Sequence, residues 1–291
     1  MFDAFMTYDF LRYAFLTGIM IGLLAPTLGV FLVVRRMSLI ADALSHITLS
    51  GIALSLLLGR HFIFMQGVNP LFLGMGFSVA GSLLMEKLRQ VYVHYKEIAI
   101  PIMMSSGIGL GVIFISMAKG FNKDLLDYLF GSILAVNKSD FLTITFITVV
   151  VLIVLFLFYK ELFFLSFDEE QAVISGIRKR LVHFVFIVMV ALVIAASMRV
   201  VGILLVSSLM TLPVASAMRF AKGFKQLFFY AIIFAEISVM GGLILAYQLG
   251  LSPGGVIVMI AVVILLISIM WQKWTRRFYK HEKDMDNRVE D

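Results

Sequence analysis

Residues 35–46 read Arg35-Arg36-Met37-Ser38-Leu39-Ile40-Ala41-Asp42-Ala43-Leu44-Ser45-His46. Two arginines close the apolar run before them, and the chain then stays largely apolar to Leu58. The stretch reads as the start of a membrane helix. An acid and an imidazole stand one helical turn apart inside it. At 100° per residue, Ser38, Asp42, Ser45 and His46 share one face, within an arc of roughly 100°. Leu39, Ile40, Leu44 and Ile47 cover the rest. An ionisable side chain at membrane depth costs about 3 kcal/mol to insert. Two on one face therefore predict a water-filled path or a buried partner. The structural alternative is an Asp–His pair that neutralises itself and only packs.

The whole chain supports a membrane setting. It has 291 residues, 61% of them hydrophobic, and a mean hydropathy of +1.02. Charged residues make up 14%, against roughly 25% in soluble domains. The runs are about twenty residues long without period-two alternation, which excludes a membrane β-barrel. There are no cysteines, hence no disulfide and no thiolate metal site. Asp3 and Asp9 precede the first apolar run without a basic segment, so no cleavable signal is expected.

Nine apolar runs follow in order: 10–34, 38–58, 70–85, 98–118, 140–158, 181–198, 200–218, 227–247 and 255–272. The third is short, and only Arg199 separates the sixth from the seventh, so eight or ten helices are the neighbouring counts. The expected fold class is all-α, a polytopic helical membrane protein of about nine spans. Residues 1–272 form one transmembrane domain, followed by a short charged tail, 273–291. Pro26 and Pro213 lie inside runs and loosen their helices. Gly107-x-Gly109-x-Gly111 sits within a run with no strand before it, so it reads as close helix packing and not as a nucleotide fingerprint.

Basic residues set the orientation. Loops 35–36, 86–97, 160–180, 219–225 and the tail hold 18 of the 24 Lys and Arg residues. Arg12, Arg60, Lys119, Lys123, Lys138 and Arg199 are the other six. This asymmetry predicts the N-terminus outside and the C-terminus in the cytoplasm. It also accounts for the net charge of +6 without nucleic acid.

The longest inner loop, 160–180, contains Phe167-Asp168-Glu169-Glu170-Gln171-Ala172-Val173-Ile174-Ser175-Gly176-Ile177. Ser166 or Asp168 can cap a short helix there, and Gly176 can close it. Phe167, Ala172, Val173 and Ile177 are expected on one side. The element is either an ordinary interfacial helix or a docking element for a cytosolic partner.

Asp42, His46 and Glu236 are the ionisable residues well inside runs; Arg12 and His183 lie at run ends. Asp42 and His46 at i, i+4 can reach one cation. Carboxylate plus imidazole suits Zn²⁺ or Mn²⁺ and is too hard a set for Cu(I). Two ligands make a weak site, as transport requires. Glu236 is a third ligand, a partner for a neighbouring helix, or a group facing a polar cavity. No catalysis is expected. Ser45 and His46 diverge by about 100° on a helix and cannot form a nucleophile–base pair. No H-E-x-x-H, G-x-S-x-G or G-x-x-x-x-G-K-[ST] occurs.

The segment Leu28-Gly29-Val30-Phe31 through Arg35-Arg36-Met37-Ser38-Leu39 to Asp42-Ala43-Leu44-Ser45-His46 and Gly51 resembles the permease subunits of bacterial zinc/manganese ABC importers. So do Phe167-Asp168-Glu169 to Ala172 and Gly176, Gly202–Ser207 with Thr211-Leu212-Pro213-Val214-Ala215, and Tyr128–Leu134. The matches span about 10–270. The resemblance implies a type II ABC importer permease in the bacterial cell membrane, working as a homodimer. Its implied partners are two cytosolic ATPase subunits and an extracellular metal-binding lipoprotein. It implies that Asp42 and His46 line the cation path, with Ser38, Ser45 and Pro213 as pathway or gating positions. Phe167, Asp168, Glu169, Ala172 and Gly176 would dock on the ATPase. No cofactor is implied beyond the transported Zn²⁺ or Mn²⁺. The wording from Ser38 to Leu49 is closer to Gram-positive zinc permeases than to manganese ones. The competing function is a proton-coupled secondary metal transporter using Asp42 and His46 as a relay. It would need no ATPase and would favour internal repeats, which the sequence lacks.

Overall fold

A computed structural model describes residues 8–65, 67–118, 120 and 123–289. Lys119 of the basic count and the extreme ends of the two predicted segments lie outside the described residues.

All nine runs are helical. α1 is Asp9–Val34, α2 Leu39–His61, α3 Pro70–Val91 and α4 Ala99–Met117. A short α5, Lys123–Phe130, precedes α6, Lys138–Leu157. The loop at 160–180 folds as α7, Tyr159–Phe167, and α8, Glu169–Ile174. Then come α9, Lys179–Val201, α10, Ile203–Ala217, α11, Phe224–Leu249, and α12, Pro253–Val289. Among the described residues, eight helices are long and apolar enough to span a bilayer, and α10 is a shorter apolar helix of 15 residues. At 1.5 Å per residue α10 is roughly 22 Å long, short of a hydrocarbon core of about 30 Å. α12 continues through Val289, so no break in the helix separates the tail from its span.

The break between the sixth and seventh runs falls at Gly202, not at Arg199. Gly202 has φ +86°, a conformation side chains rarely adopt. Arg199 stays within α9 because its charge is met there. Its Nε lies 3.2 Å from Asp140 Oδ2, a carboxylate with no exposed surface. Its guanidinium also covers the Tyr128 ring at 4.7 Å and donates to Ala135 O. Asp140 in turn accepts from Asn69 Nδ2 at 2.7 Å and forms a capping box with Asn137. One buried ion pair thus ties together the starts of α3 and α6 and the end of α9.

Close helix packing runs through glycines. A Cβ on Gly29 of α1 would stand 2.0 Å from Met210 O of α10. A Cβ on Gly107 of α4 would stand 2.8 Å from Ile47 N of α2. Gly107 and, at 3.9 Å from Leu49 and Ser50, Gly111 therefore face α2 as expected, whereas Gly109 points away into open space. Phe31 is fully buried and edge-on to Tyr159, Phe186, Phe224 and Phe228, with centroids 5.3–6.3 Å apart. This aromatic knot joins α1, α7, α9 and α11.

Candidate functional site

The turn between α1 and α2 is four residues long and set by its own hydrogen bonds. Met37 N donates to Leu32 O at 2.8 Å and Arg36 N to Val33 O at 3.0 Å. That is a Schellman closure with Arg36, at φ +56°, in the left-handed place usually held by glycine. It lets α2 start at Leu39 and puts Asp42 in the first turn.

α2 is sandwiched by α3, α4 and α10. Asp42 and His46 are each half-buried, one turn apart. Asp42 Oδ1 accepts from Ser207 Oγ of α10 at 3.2 Å. Thr211, one turn beyond Ser207 and half-buried, donates to Ser207 O at 3.0 Å. Pro213 lies buried two residues further and has no N–H for the Leu209 carbonyl one turn back. α10 therefore turns a strip of hydroxyls toward α2 and carries a local weak point beside it. Ser38 is half-buried, just before α2.

One expectation needs correction, and one of the three alternatives for Glu236 falls away. Ser45 does not line the polar face. It is buried and donates to Ala41 O of its own helix at 2.8 Å. Its 100° offset from His46 carries it into the packed side. Glu236 does not join Asp42 and His46. It sits on α11 with its carboxylate against α1, where a Cβ on Gly22 would be 2.8 Å from Glu236 Cδ. Among the described residues, no three His, Cys, Asp or Glu side chains gather into a group able to hold a metal. One chain thus offers a carboxylate and an imidazole on α2, with the Ser207 oxygen opposite. Ser207 escaped the sequence reading as a site residue. The available signal was Ser207 and Thr211 at i, i+4 in an apolar run just before a proline.

The loop at 160–180 is a second built surface. Asp168 is the cap, accepting from Gln171 N at 2.9 Å. Ser166 instead donates back to Leu162 O. Gly176, φ +85°, closes the helix: Gly176 N donates to Val173 O and Ile177 N to Ala172 O. Ala172 is fully buried and anchors α8, whereas Phe167, Val173 and Ile174 are exposed, Ile174 by 85%. Val173 thus lies on the outer side and not on the buried side with Ala172, since α8 is packed only along the Ala172 stripe. Phe167 rests on Phe163 and Phe224 at 4.9 and 5.4 Å. Lys179 Nζ meets Glu169 Oε1 at 2.5 Å, tying α8 to the first turn of α9. Burial raises the Glu169 pKa, but the Lys179 hydrogen bond and charge, with Arg35 and Lys96, hold it below the usual carboxylate value.

The fold and the two surfaces define a class: an all-helical membrane protein with an acid and an imidazole paired on α2 and an exposed short helix between α7 and α9. The chain belongs to the ABC 3 transport family, whose pattern matches residues 7–272. It is similar to the manganese transport system membrane protein MntC of Listeria monocytogenes, 32% identical over 92% of this chain and 93% of that one. It is equally similar to the high-affinity zinc uptake system membrane protein ZnuB of Haemophilus influenzae, 32% identical over 90% of this chain and 97% of that one. The solved PsaBC of Streptococcus pneumoniae, in complex with Fab, matches at a TM-score of 0.80 and 31% identity, covering 92% of this chain and 93% of that chain.

Proposed function

We propose that the chain is the membrane subunit of an ATP-driven importer of a divalent transition metal, Zn²⁺ or Mn²⁺. The observation that carries this reading is the Asp42–His46 face on α2, opposed by Ser207 3.2 Å from Asp42. Relatives named for manganese and for zinc transport support the cargo class. The donors are borderline to hard and too few in one chain for tight capture, so the ion can be passed on.

In this reading ATP is hydrolysed in a separate cytosolic chain that grips Phe167, Asp168, Glu169 and Gly176, with Val173 and Ile174 filling its surface; Ala172, expected among the docking residues, is fully buried and holds α8 in place instead. A metal-binding lipoprotein delivers cargo from outside. The N-terminus lies outside and the 273–291 tail inside. Two permeases pair about an axis along the path, so a second copy doubles the ligands.

The sequence wording favours zinc. Two Asp and two His from a dimer make the four ligands Zn²⁺ prefers. Manganese is the second reading. The Ser207 oxygens would extend the set to six, with more oxygen than nitrogen, which suits Mn²⁺. Uptake of radioactive Zn²⁺ and Mn²⁺, each competed by the other, in metal-starved cells with and without the gene tests both. Loss of either uptake on deletion supports the importer; unchanged uptake of both overturns it.

A further inference from the structure

Beside the docking element, the ends of α1, α3 and α9 close on an imidazole that the cation path does not use. His183 is buried on α9. Its Nδ1 lies 3.2 Å from Arg35 Nη2, and its Nε2 lies 2.9 Å from Arg89 Nη1. Glu86 Oε2 lies 2.8 Å from the same Nε2 and 3.8 Å from Arg89 Nη1. Arg89 Nη1 also reaches Met37 Sδ at 3.6 Å. The Arg35 guanidinium covers the Phe186 ring at 5.5 Å, and its buried Nη1 has no hydrogen-bond partner among the described residues.

His183 cannot satisfy both arginines. A neutral imidazole has one accepting and one donating nitrogen. When Nδ1 accepts from Arg35, Nε2–H suits Glu86 and Arg89 faces a donor. When Nε2 accepts from Arg89, Nδ1–H faces Arg35 and that guanidinium loses its acceptor. An imidazolium would accept from neither. The second arrangement also sets the Nε2 lone pair against the Glu86 carboxylate 2.8 Å away, so the first is preferred and Glu86 fixes the tautomer.

The two arginines belong to different elements. Arg35 is the C-cap of α1 and begins the turn into α2. Arg89 belongs to α3 and touches Met37, in that same turn, with Asp42 in the helix turn that follows. His183 lies one turn along α9 from Lys179, whose amine holds Glu169 of α8. An unbroken set of contacts therefore runs from the docking element to the start of the cation-path helix.

We propose that His183, with Glu86, Arg35 and Arg89, is a relay of positioning residues that couples the docking element to α2. This rests on the importer reading above. The test uses proteoliposomes holding the full permease–ATPase complex, supplied with the binding lipoprotein and Zn²⁺ or Mn²⁺ alone. The readout is metal moved per ATP hydrolysed. His183→Leu should assemble with the ATPase, keep hydrolysing ATP and lose about tenfold in that ratio. His183→Gln retains one acceptor and one donor and should recover most of it, which a purely structural role would not require. If His183→Leu does not assemble, Glu86→Gln, of the same shape, carries the test and should also lower the ratio. An unchanged ratio in the assembled variants overturns the relay. Failure of the wild-type complex to move either metal overturns the importer reading instead.

Discussion

Asp42 is the residue on which the functional argument turns, and its partner Ser207 gives the first prediction. The hydroxyl supplies an oxygen that a four-coordinate Zn²⁺ site does not need and a six-coordinate Mn²⁺ site does. Ser207→Ala should therefore weaken Mn²⁺ uptake about tenfold or more, on the scale of one lost hydrogen bond to a charge, about 1.5–3 kcal/mol. Zn²⁺ uptake should change little, and paired uptake curves for the two ions check this. Gly29 gives the second. A Cβ there would stand 2.0 Å from a backbone carbonyl, which cannot swing aside. Gly29→Val should cost at least the roughly 1–3 kcal/mol of overpacking and lower the thermal midpoint in detergent. A midpoint equal to wild type would show that α1 and α10 are not packed this closely. The polar pair at 42 and 46 was legible in the sequence because its spacing equals one helical turn. Ser207 was not, because helical periodicity tells which residues share a face but not which helix that face meets. The same limit hid the His183 relay: His183 was visible at a run end, but Glu86 and Arg89 stand more than ninety residues away.

At the scale of elements, the apolar runs located most helix ends to within a few residues, since burial in lipid demands continuous apolar helix; the third and last helices run on past their apolar runs to Val91 and Val289. The seventh run was misplaced at its start because Arg199 looked like a boundary. Its buried partner Asp140 lies some sixty residues away and keeps the charge inside α9. The α8 cap was legible among two candidates, and its exposed side was not, because Ala172 and Val173 are both apolar. In the proposed importer, the exposed pair Val173 and Ile174 would meet the ATPase. Val173→Asp or Ile174→Asp should leave yield and membrane insertion unchanged, since both side chains already face outward. Each should reduce co-purification of the ATPase, and full retention at wild-type stoichiometry would argue against docking on this face.

For the whole molecule, the account requires a second copy, because one chain brings too few ligands together. The protein has no cysteine of its own, so single cysteines at 42 or 46 are clean reporters. Short-range cross-linking between protomers, reduced by added Zn²⁺ or Mn²⁺, is the expected outcome. Labelling by lipid-phase reagents alone would turn this face outward and remove the path with it. The central claim is that the Asp42–His46 face carries the metal. Its most direct test is uptake of radioactive Zn²⁺ and Mn²⁺ by metal-starved cells expressing Asp42→Ala or His46→Ala at wild-type levels in the membrane. The account predicts that both variants insert, bind the ATPase and fail to accumulate metal. Accumulation at the wild-type rate in either variant, with expression matched, would contradict it.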